Sequence, residues 1–196
     1  MSDLNITMIE ECPDDAVLLD VGANKGNYTT KMADKPSSKV YAFEPEPENL
    51  KKLREAVKDR PNVEVHGVAL SDHTGVDQLM LVNNPGGHSI EKKLEGQRWK
   101  HTSANSIYVA VITLDEWCGY NDITRIDGIK IDVEAHEESV IRGGMETLKK
   151  HHPLIALETH QTVDIEKLKE LLVECGYEVP EDMKVDKAYL IRHSGQ

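Results

Sequence analysis

The sequence predicts an α/β fold built on a doubly wound, mostly parallel sheet. Short runs that are nearly continuous in apolar residues alternate along the chain with segments whose apolar residues recur every three or four positions. Continuous apolar runs are typical of strands that are buried on both faces, as in parallel sheets covered by helices. The alternation of strand and helix predicts right-handed crossovers between parallel strands.

Five apolar runs are the predicted core strands. They are AVLLDV (16–21), KVYAFE (39–44), NVEVHGVAL (62–70), GIKIDV (128–133) and PLIALE (153–158). Three helical stripes are formed by Leu50, Leu53 and Val57, by Val140, Ile141, Gly144 and Leu148, and by Ile165, Leu168 and Leu172. Pro61 stops the first stripe, and Gly176 follows the third where a left-handed cap is expected. The tail KVDKAYLIRH predicts a last strand, antiparallel to one near Tyr177–Val179.

An insertion breaks this alternation after Asp72. HTGVDQLMLV and SIYVAVITL predict two added strands around a polar stretch, residues 83–105, that is long for a plain connection. We expect this stretch to be a lid or acceptor-binding loop. Its excess of basic residues and its tryptophan could hold a sugar or another polar acceptor, including an anionic one. A solvated surface explains the same residues, which are Lys92, Lys93, Arg98, Trp99 and Lys100.

Composition excludes several classes of protein. The 196 residues, 39% of them hydrophobic, suffice for one domain with its own core, which we expect to span residues 1–196. A net charge of −12 disfavours a nucleic-acid partner, because phosphate backbones require clustered Lys and Arg. Three cysteines without a CxxC motif predict reduced thiols. Since neither a signal peptide nor a membrane-spanning run is present, we expect a cytoplasmic protein, whose oligomeric state stays open.

The stretch DVGANKGNYT, residues 20–29, follows the first predicted strand. In an open parallel sheet this turn lies closest to the ligand. The spacing Gly22-x-x-x-Gly26 is neither GxGxxG nor GxxxxGK[ST], the motifs that bind phosphates, so a nucleotide-like ligand without phosphates fits better. Asp20 suits an ammonium group, and Glu44, ending the second strand, suits the ribose hydroxyls. S-adenosylmethionine combines these features, and a tight turn without a ligand is the alternative.

Five blocks of sequence together resemble the signature of FkbM-type S-adenosylmethionine-dependent methyltransferases. They are DVGANKGNYT, FEPEPEN (43–49), VALSDHTG (68–75), TLDEW (113–117) and IKIDVEAHEESVIRGG (129–144). The resemblance implies a Rossmann-like methyltransferase fold and transfer to hydroxyl oxygens. One departure is Ala135, where the family usually reads DVEG-x-E. The added Cβ at this position affects the expected acceptor geometry more than cofactor binding.

The resemblance also implies a set of residues that contact the cofactor. Four would surround its methionine end, namely Asp20, Gly22, Asn24 and Gly26. Tyr28 and Thr29 would lie on the first turn of the next helix, and Glu44 would hold the ribose. The adenine would be bordered by Ala69, Leu70 and Asp72. For Asp72, a role in capping the following turn is an equal alternative.

Four residues are candidates for catalysis because they follow two neighbouring strands: Asp132, Glu134, Glu158 and His160. Charges at the ends of buried strands are costly without a role or a partner. Glu137 and Glu138, in contrast, are interpreted as carboxylates that stabilise a helix N-terminus. We expect no metal, with His160 as the base and Glu158 setting its tautomer. A Mg²⁺ ion between Asp132, Glu158 and His160 is the alternative.

The sequence thus predicts O-methylation of a hydroxyl on a sugar or another small polar acceptor, with S-adenosylmethionine as cofactor. Two other classes remain open. An NAD-dependent oxidoreductase is permitted by Glu44 but opposed by the missing GxGxxG motif. A module that binds S-adenosylmethionine or a partner without catalysis is compatible with the small size of the chain and with Ala135.

Overall fold

A computed structural model describes residues 3–81, 89–90 and 105–195. Its strands are β1 (Val17–Val21), β2 (Lys39–Phe43), β3 (Val63–His66), β4 (Ala69–Leu70), β5 (Gly75–Leu81), β6 (Ser89–Ile90), β7 (Asn105–Ile112), β8 (Gly128–Ile131), β9 (Leu154–Thr159), β10 (Tyr177–Glu178) and β11 (Lys187–His193). Its helices are α1 (Leu4–Glu11), α2 (Asn27–Ala33), α3 (Pro47–Ala56), α4 (Leu114–Tyr120), α5 (Glu137–Arg142), α6 (Met145–His151) and α7 (Ile165–Glu174). The predicted loop 83–105 lies outside the described residues, apart from 89–90 and 105.

The main sheet has seven strands in the order β10-β11-β9-β8-β1-β2-β3. The five strands from β9 to β3 in this order are parallel, whereas β11 runs antiparallel to both β9 and β10. This arrangement confirms the predicted doubly wound, mostly parallel sheet and its antiparallel last strand. Gly176, with φ +86°, provides the expected left-handed residue after α7.

A second sheet, in the order β4-β7-β5-β6, contains the two added strands that the sequence predicts. The prediction of a single strand over 62–70 is wrong, because the chain changes sheets within it. β3 pairs with β2, whereas β4 pairs with β7. The change occurs at Gly67, where a Cβ atom would lie 2.8 Å from Leu50 Cδ2, so the chain passes directly over α3.

The helical stripe from Val140 to Leu148 forms two helices rather than one. The break lies at Gly143, where a Cβ atom would lie 1.9 Å from the carbonyl oxygen of Ser71. The absence of a side chain at Gly143 therefore brings the end of α5 against the segment after β4. Ser71 directly follows Leu70, which lines the cleft described below.

Helices cover both faces of the main sheet. On one face Leu19, Ile129 and Ile155 belong to a core cluster with residues of α4, α5, α6 and α7. On the other face Leu18 and Val40 pack with residues of α1 and α2. Full burial of one such side chain stabilises the fold by about 1.5–3 kcal/mol. No helix in the described ranges is both long and apolar enough to span a membrane.

Candidate active site

A cleft lies at the carboxyl ends of the parallel strands, between the turns that follow β1, β2 and β8. Its wall also includes residues of β4 and β5. The lining residues are Val21, Gly22, Asn24, Phe43, Glu44, Pro45, Asn49, Ala69, Leu70, Leu79, Asp132, Val133, Glu134 and His136. Ten cofactor contacts were predicted from the sequence. Five line this cleft, namely Gly22, Asn24, Glu44, Ala69 and Leu70, and five lie outside its lining, namely Asp20, Gly26, Tyr28, Thr29 and Asp72.

The glycine turn after β1 is shaped by close packing on two sides. Gly22 has φ +77°, and a Cβ atom there would lie 1.9 Å from the carbonyl oxygen of Asp132. Gly26 has φ +88°, and a Cβ atom there would lie 2.8 Å from Leu53 Cδ1. Only glycine meets both requirements, a left-handed backbone and no side chain. The backbone nitrogens of Gly22 and Ala23 both donate to the carbonyl oxygen of Phe43, which ties the turn to β2.

Glu44 connects the glycine turn after β1 with the turn after β2. Its carboxylate is nearly buried, and it accepts hydrogen bonds from the backbone nitrogen of Asn24 at 2.7 Å and from that of Glu46 at 2.9 Å. Burial raises the pKa of Glu44 to about 7, although both backbone donors oppose this shift. Each carboxylate oxygen can accept a second hydrogen bond, so Glu44 can still bind ligand hydroxyls.

Asp20 is fully buried, which corrects the expectation that it faces a ligand ammonium. Its Oδ1 lies 3.1 Å from Nζ of Lys130, and its Oδ2 accepts a 2.6 Å hydrogen bond from Oγ1 of Thr29. The ammonium that neutralises Asp20 thus comes from the protein itself. Thr29 is equally buried and is committed to the same interaction.

Tyr28 and Asp72 also make contacts within the protein. The Tyr28 hydroxyl donates to Asp3 Oδ2 at 2.8 Å, which directs it towards the start of α1. Asp72 lies in the turn before β5, with its Oδ1 3.1 Å from His73 Nδ1. This position agrees with the alternative interpretation of Asp72 as a residue of the turn.

A carboxylate–imidazole cluster adjoins the cleft where β8 and β9 end. His160 Nδ1 lies 2.6 Å from Glu137 Oε1, and its Nε2 lies 3.6 Å from Asp132 Oδ1 and 3.5 Å from Glu134 Oε2. The expected tautomer partner, Glu158, is exposed, and Glu137 occupies that place. The reason is direction: Glu137 begins α5 and points inward, fully buried, whereas the side chain of Glu158 leaves the opposite side of its strand from the buried Leu157 and Thr159.

The charges in this cluster favour an imidazolium. Burial lowers the pKa of His160, but the hydrogen bond that its Nδ1–H donates to Glu137 and the nearby carboxylates of Glu134 and Asp132 outweigh it and raise the pKa to about 9. The pKa values of Glu134 and Glu158 are raised, first by partial desolvation of each carboxylate and then by repulsion to which Asp132 contributes in both cases. At neutral pH the His160 ring is therefore cationic, and the neighbouring carboxylates of Glu134 and Glu158 bind protons more readily than ordinary glutamates do.

A family model for the methyltransferase FkbM domain matches residues 20–179, which include the glycine turn, Glu44 and the whole carboxylate–imidazole cluster. The chain belongs to the FkbM methyltransferase family. This confirms the resemblance that the five sequence blocks indicate.

Relatives of this FkbM chain include two named enzymes. It is 32% identical over 148 residues to 2-O-methyltransferase NoeI of Sinorhizobium fredii, covering 69% of this chain and 60% of NoeI. It is 28% identical over 169 residues to hexuronic acid methyltransferase AglP of Haloferax volcanii, covering 85% of this chain and 65% of AglP. The chain thus spans about three fifths of the length of these curated relatives.

Solved structures with similar folds include an FkbM methyltransferase of Methylobacillus flagellatus, with a TM-score of 0.57, 21% identity, and coverage of 82% of this chain and 37% of that one. Fibrillarin of Aeropyrum pernix with bound S-adenosyl-L-methionine has a TM-score of 0.52 and 15% identity, and the match covers 91% of this chain and 66% of that one. At these identities the similarity shows the fold alone, which is the Rossmann-like fold that the sequence predicts.

The family glycine that this FkbM chain lacks falls in a left-handed turn. Glu134 has φ +50° and Ala135 has φ +76°, so two consecutive residues with a Cβ atom adopt a conformation that favours glycine. The backbone nitrogen of Ala135 donates to Glu137 Oε1 at 3.2 Å. The strained turn therefore directs Glu134 towards His160, and its backbone nitrogen at Ala135 holds the Glu137 carboxylate.

The side-chain oxygens and ring nitrogen of Asp132, Glu134 and His160 lie within 4.8 Å of one another, so these residues could hold a divalent cation. This set replaces the one considered from the sequence, in which Glu158 took the place of Glu134. Binding of a cation by His160 would require loss of the imidazolium proton.

Three residues in or beside the cleft were given another role in the sequence analysis or were left without one. Glu137 was interpreted as a helix-terminal charge, although it is the last acid of the FkbM motif DVEG-x-E. Lys130 is a charged residue within the apolar strand GIKI, which is a signal visible in the sequence. The strand register explains it, because Lys130 lies opposite Asp20 in β1. His136 lines the cleft and its Nε2 lies 3.0 Å from Ser71 Oγ, a contact between elements distant in sequence.

Proposed function

We propose that this chain is an S-adenosylmethionine-dependent methyltransferase that O-methylates a hydroxyl of a sugar or another small polar acceptor. The observation that carries the proposal is the cleft at the strand ends, where the glycine turn and Glu44 adjoin the carboxylates of Asp132 and Glu134. The names of the relatives, a 2-O-methyltransferase and a hexuronic acid methyltransferase, support the choice of acceptor.

The charge of the cleft supports this cofactor over a dinucleotide. Three carboxylates line it, those of Glu44, Asp132 and Glu134, and the described part of the lining contains neither Lys nor Arg. S-adenosylmethionine carries a sulfonium and an ammonium against a single carboxylate, so an acidic wall stabilises it. The phosphates of NAD would be repelled by the same wall, which disfavours the oxidoreductase alternative.

Residues of the cleft divide among the parts of the cofactor. Glu44 would accept hydrogen bonds from the ribose hydroxyls, the turn from Gly22 to Asn24 would hold the methionine end, and Ala69 and Leu70 would border the adenine. When bound, the cofactor supplies a methyl group on a sulfonium: the new O–C bond forms as the C–S bond breaks, and its electron pair stays on sulfur. Alignment of the acceptor hydroxyl provides most of the rate.

The hydroxyl proton goes to a carboxylate in this proposal. Asp132 and Glu134 both line the cleft, and both face His160 Nε2, so either can receive the proton while the imidazolium orients it. Such a base contributes about 10²–10⁴-fold to the rate. Glu158, which leaves the other side of its strand and lies outside the cleft lining, takes no part in this mechanism, which uses no metal.

Calorimetry and turnover together test the proposal. We expect S-adenosylhomocysteine to bind and NAD to give no heat. Transfer of a labelled methyl group is then measured on a panel of glycosides that includes neutral sugars and hexuronic acids. Binding without transfer to any acceptor would favour the non-catalytic module, and binding of NAD alone would overturn the proposal. A single domain, a cytoplasmic location and the lack of a nucleic-acid partner stay predictions.

A further inference from the structure

Lys130 lies in the middle of the main sheet, where charge is costly. Its side chain is 2% exposed, and it stands opposite Asp20, which is fully buried, in the pairing of β8 with β1. A buried ion pair of this kind is often no more stabilising than apolar side chains of similar volume. Stability of the fold therefore does not by itself account for the pair.

The contacts of Lys130 lead to the cleft. Its Nζ donates to the carbonyl oxygen of Gly22 at 2.8 Å and lies 3.1 Å from Asp20 Oδ1 and 3.7 Å from Asp132 Oδ2. Gly22 and Asp132 line the cleft on its β1 and β8 sides. An ammonium has three N–H donors, so one group can hold both sides of the cleft and the buried aspartate.

The same group reaches α2 through Asp20. Oδ2 of Asp20 accepts a 2.6 Å hydrogen bond from Thr29, in the first turn of α2. Lys130 thus holds the glycine turn at its start, through Gly22, and at its end, through Asp20 and Thr29. Nζ of Lys130 lies between the carboxylates of Asp20 and Asp132, which favour the charged form of the amine.

We infer that Lys130 is a positioning residue, which presets the Gly22–Gly26 turn for the amino-acid end of the cofactor and holds the Asp132 carboxylate in place for the acceptor hydroxyl. This inference rests on the proposed function. It also changes the role expected for Asp20 from the sequence: Asp20 acts within the protein, through Lys130, whereas Asp132 lines the cleft.

The test uses the double variant Asp20→Asn/Lys130→Met, which removes both charges and leaves neither uncompensated. Leu172→Ala is the matched control, because Leu172 is fully buried in α7 and lies outside the cleft lining. Affinity for S-adenosylhomocysteine is measured by calorimetry, and amide hydrogen exchange is measured across residues 22–26. Both variants are first shown to be folded by circular dichroism.

We expect the double variant to bind at least tenfold more weakly, with faster exchange in the turn, whereas Leu172→Ala keeps its affinity and turn protection. Affinity within twofold of the unaltered protein and an unchanged turn would overturn the role of Lys130. If the double variant does not fold, Thr29→Val decides, because it releases the turn from the α2 side. If the unaltered protein binds no S-adenosylhomocysteine, the proposed function is overturned. If the unaltered protein and the double variant bind it equally well, only the role of Lys130 is overturned.

Discussion

Nδ1 of His160 lies 2.6 Å from Oε1 of Glu137, a carboxylate whose side chain is fully buried. The other ring nitrogen faces Asp132 and Glu134. The imidazole ring is therefore held by Glu137 at Nδ1, and its Nε2–H points towards the two carboxylates that line the cleft. In the proposed mechanism it therefore orients the carboxylates and does not take the proton itself.

Glu137→Gln is expected to change how stability depends on pH. The folded pKa of His160 is about 9, above the ordinary value of 6.5, so its stabilisation is fully present below about pH 6.5 and is lost as pH rises through about 9. The free energy of unfolding should fall across this window, and less steeply in Glu137→Gln. Urea unfolding from pH 6 to 10 measures how the free energy of unfolding changes with pH. His73→Ala, at an exposed histidine, is the control variant. Equal slopes in both proteins would contradict the pairing.

Glu44→Ala is expected to weaken binding of S-adenosylhomocysteine at least tenfold and to leave the fold intact. Hydrogen bonds to a charged group contribute about 1.5–3 kcal/mol each, which supports this magnitude. Because ribose hydroxyls donate to the ionised form and the pKa of Glu44 is about 7, affinity should rise from pH 6 to 8 and then level off. Calorimetry over that range, with Glu64→Gln as a control outside the cleft, gives the answer. An unchanged dissociation constant would refute the ribose assignment.

Ala135→Gly is expected to stabilise the protein. A residue with a Cβ atom in a left-handed conformation costs about 1–2 kcal/mol, which the substitution removes. The greater freedom of glycine in the unfolded chain offsets about 0.5–1 kcal/mol of this stabilisation. The net gain should raise the melting temperature by a few degrees, roughly 1–4 °C for a chain of this size. Ala56→Gly, at an exposed helical position, is the control and should lower it. A lower melting temperature for Ala135→Gly would show that the turn is not strained.

His160→Ala and Asp132→Asn are expected to reduce turnover strongly and to change cofactor affinity little. Loss of the oriented carboxylate removes the acceptor of the proton, whose contribution is about 10²–10⁴-fold. Steady-state kinetics with calorimetry on the same samples separates the two effects. Full activity in both variants would remove the cluster from the chemistry.

EDTA is expected to have no effect on turnover, since the proposed mechanism uses no metal. The comparison is made on the unaltered protein before and after dialysis against the chelator. Activity that disappears with EDTA and returns with Mg²⁺ or Mn²⁺ would overturn this mechanism. It would instead support a cation between Asp132, Glu134 and His160.

Local pattern alone was enough to predict the parallel sheet, the cleft and Glu44. Apolar runs and their helical partners define the strands, and a parallel sheet brings the ends of its strands to one edge. Spacing therefore predicted that the turn from Gly22 to Gly26 and Glu44 would meet there. It also predicted that Asp132 and His160 would lie close together.

Only tertiary structure decided which charges pair. Asp20 binds Lys130 because the β1–β8 register sets these residues side by side, 110 positions apart in the chain. His160 binds Glu137 rather than Glu158 because α5 directs one carboxylate inward while the alternation of β9 directs the other outward. Sequence spacing determines which residues follow a strand. Register and side-chain direction depend on packing between distant segments, and a single sequence does not display that packing.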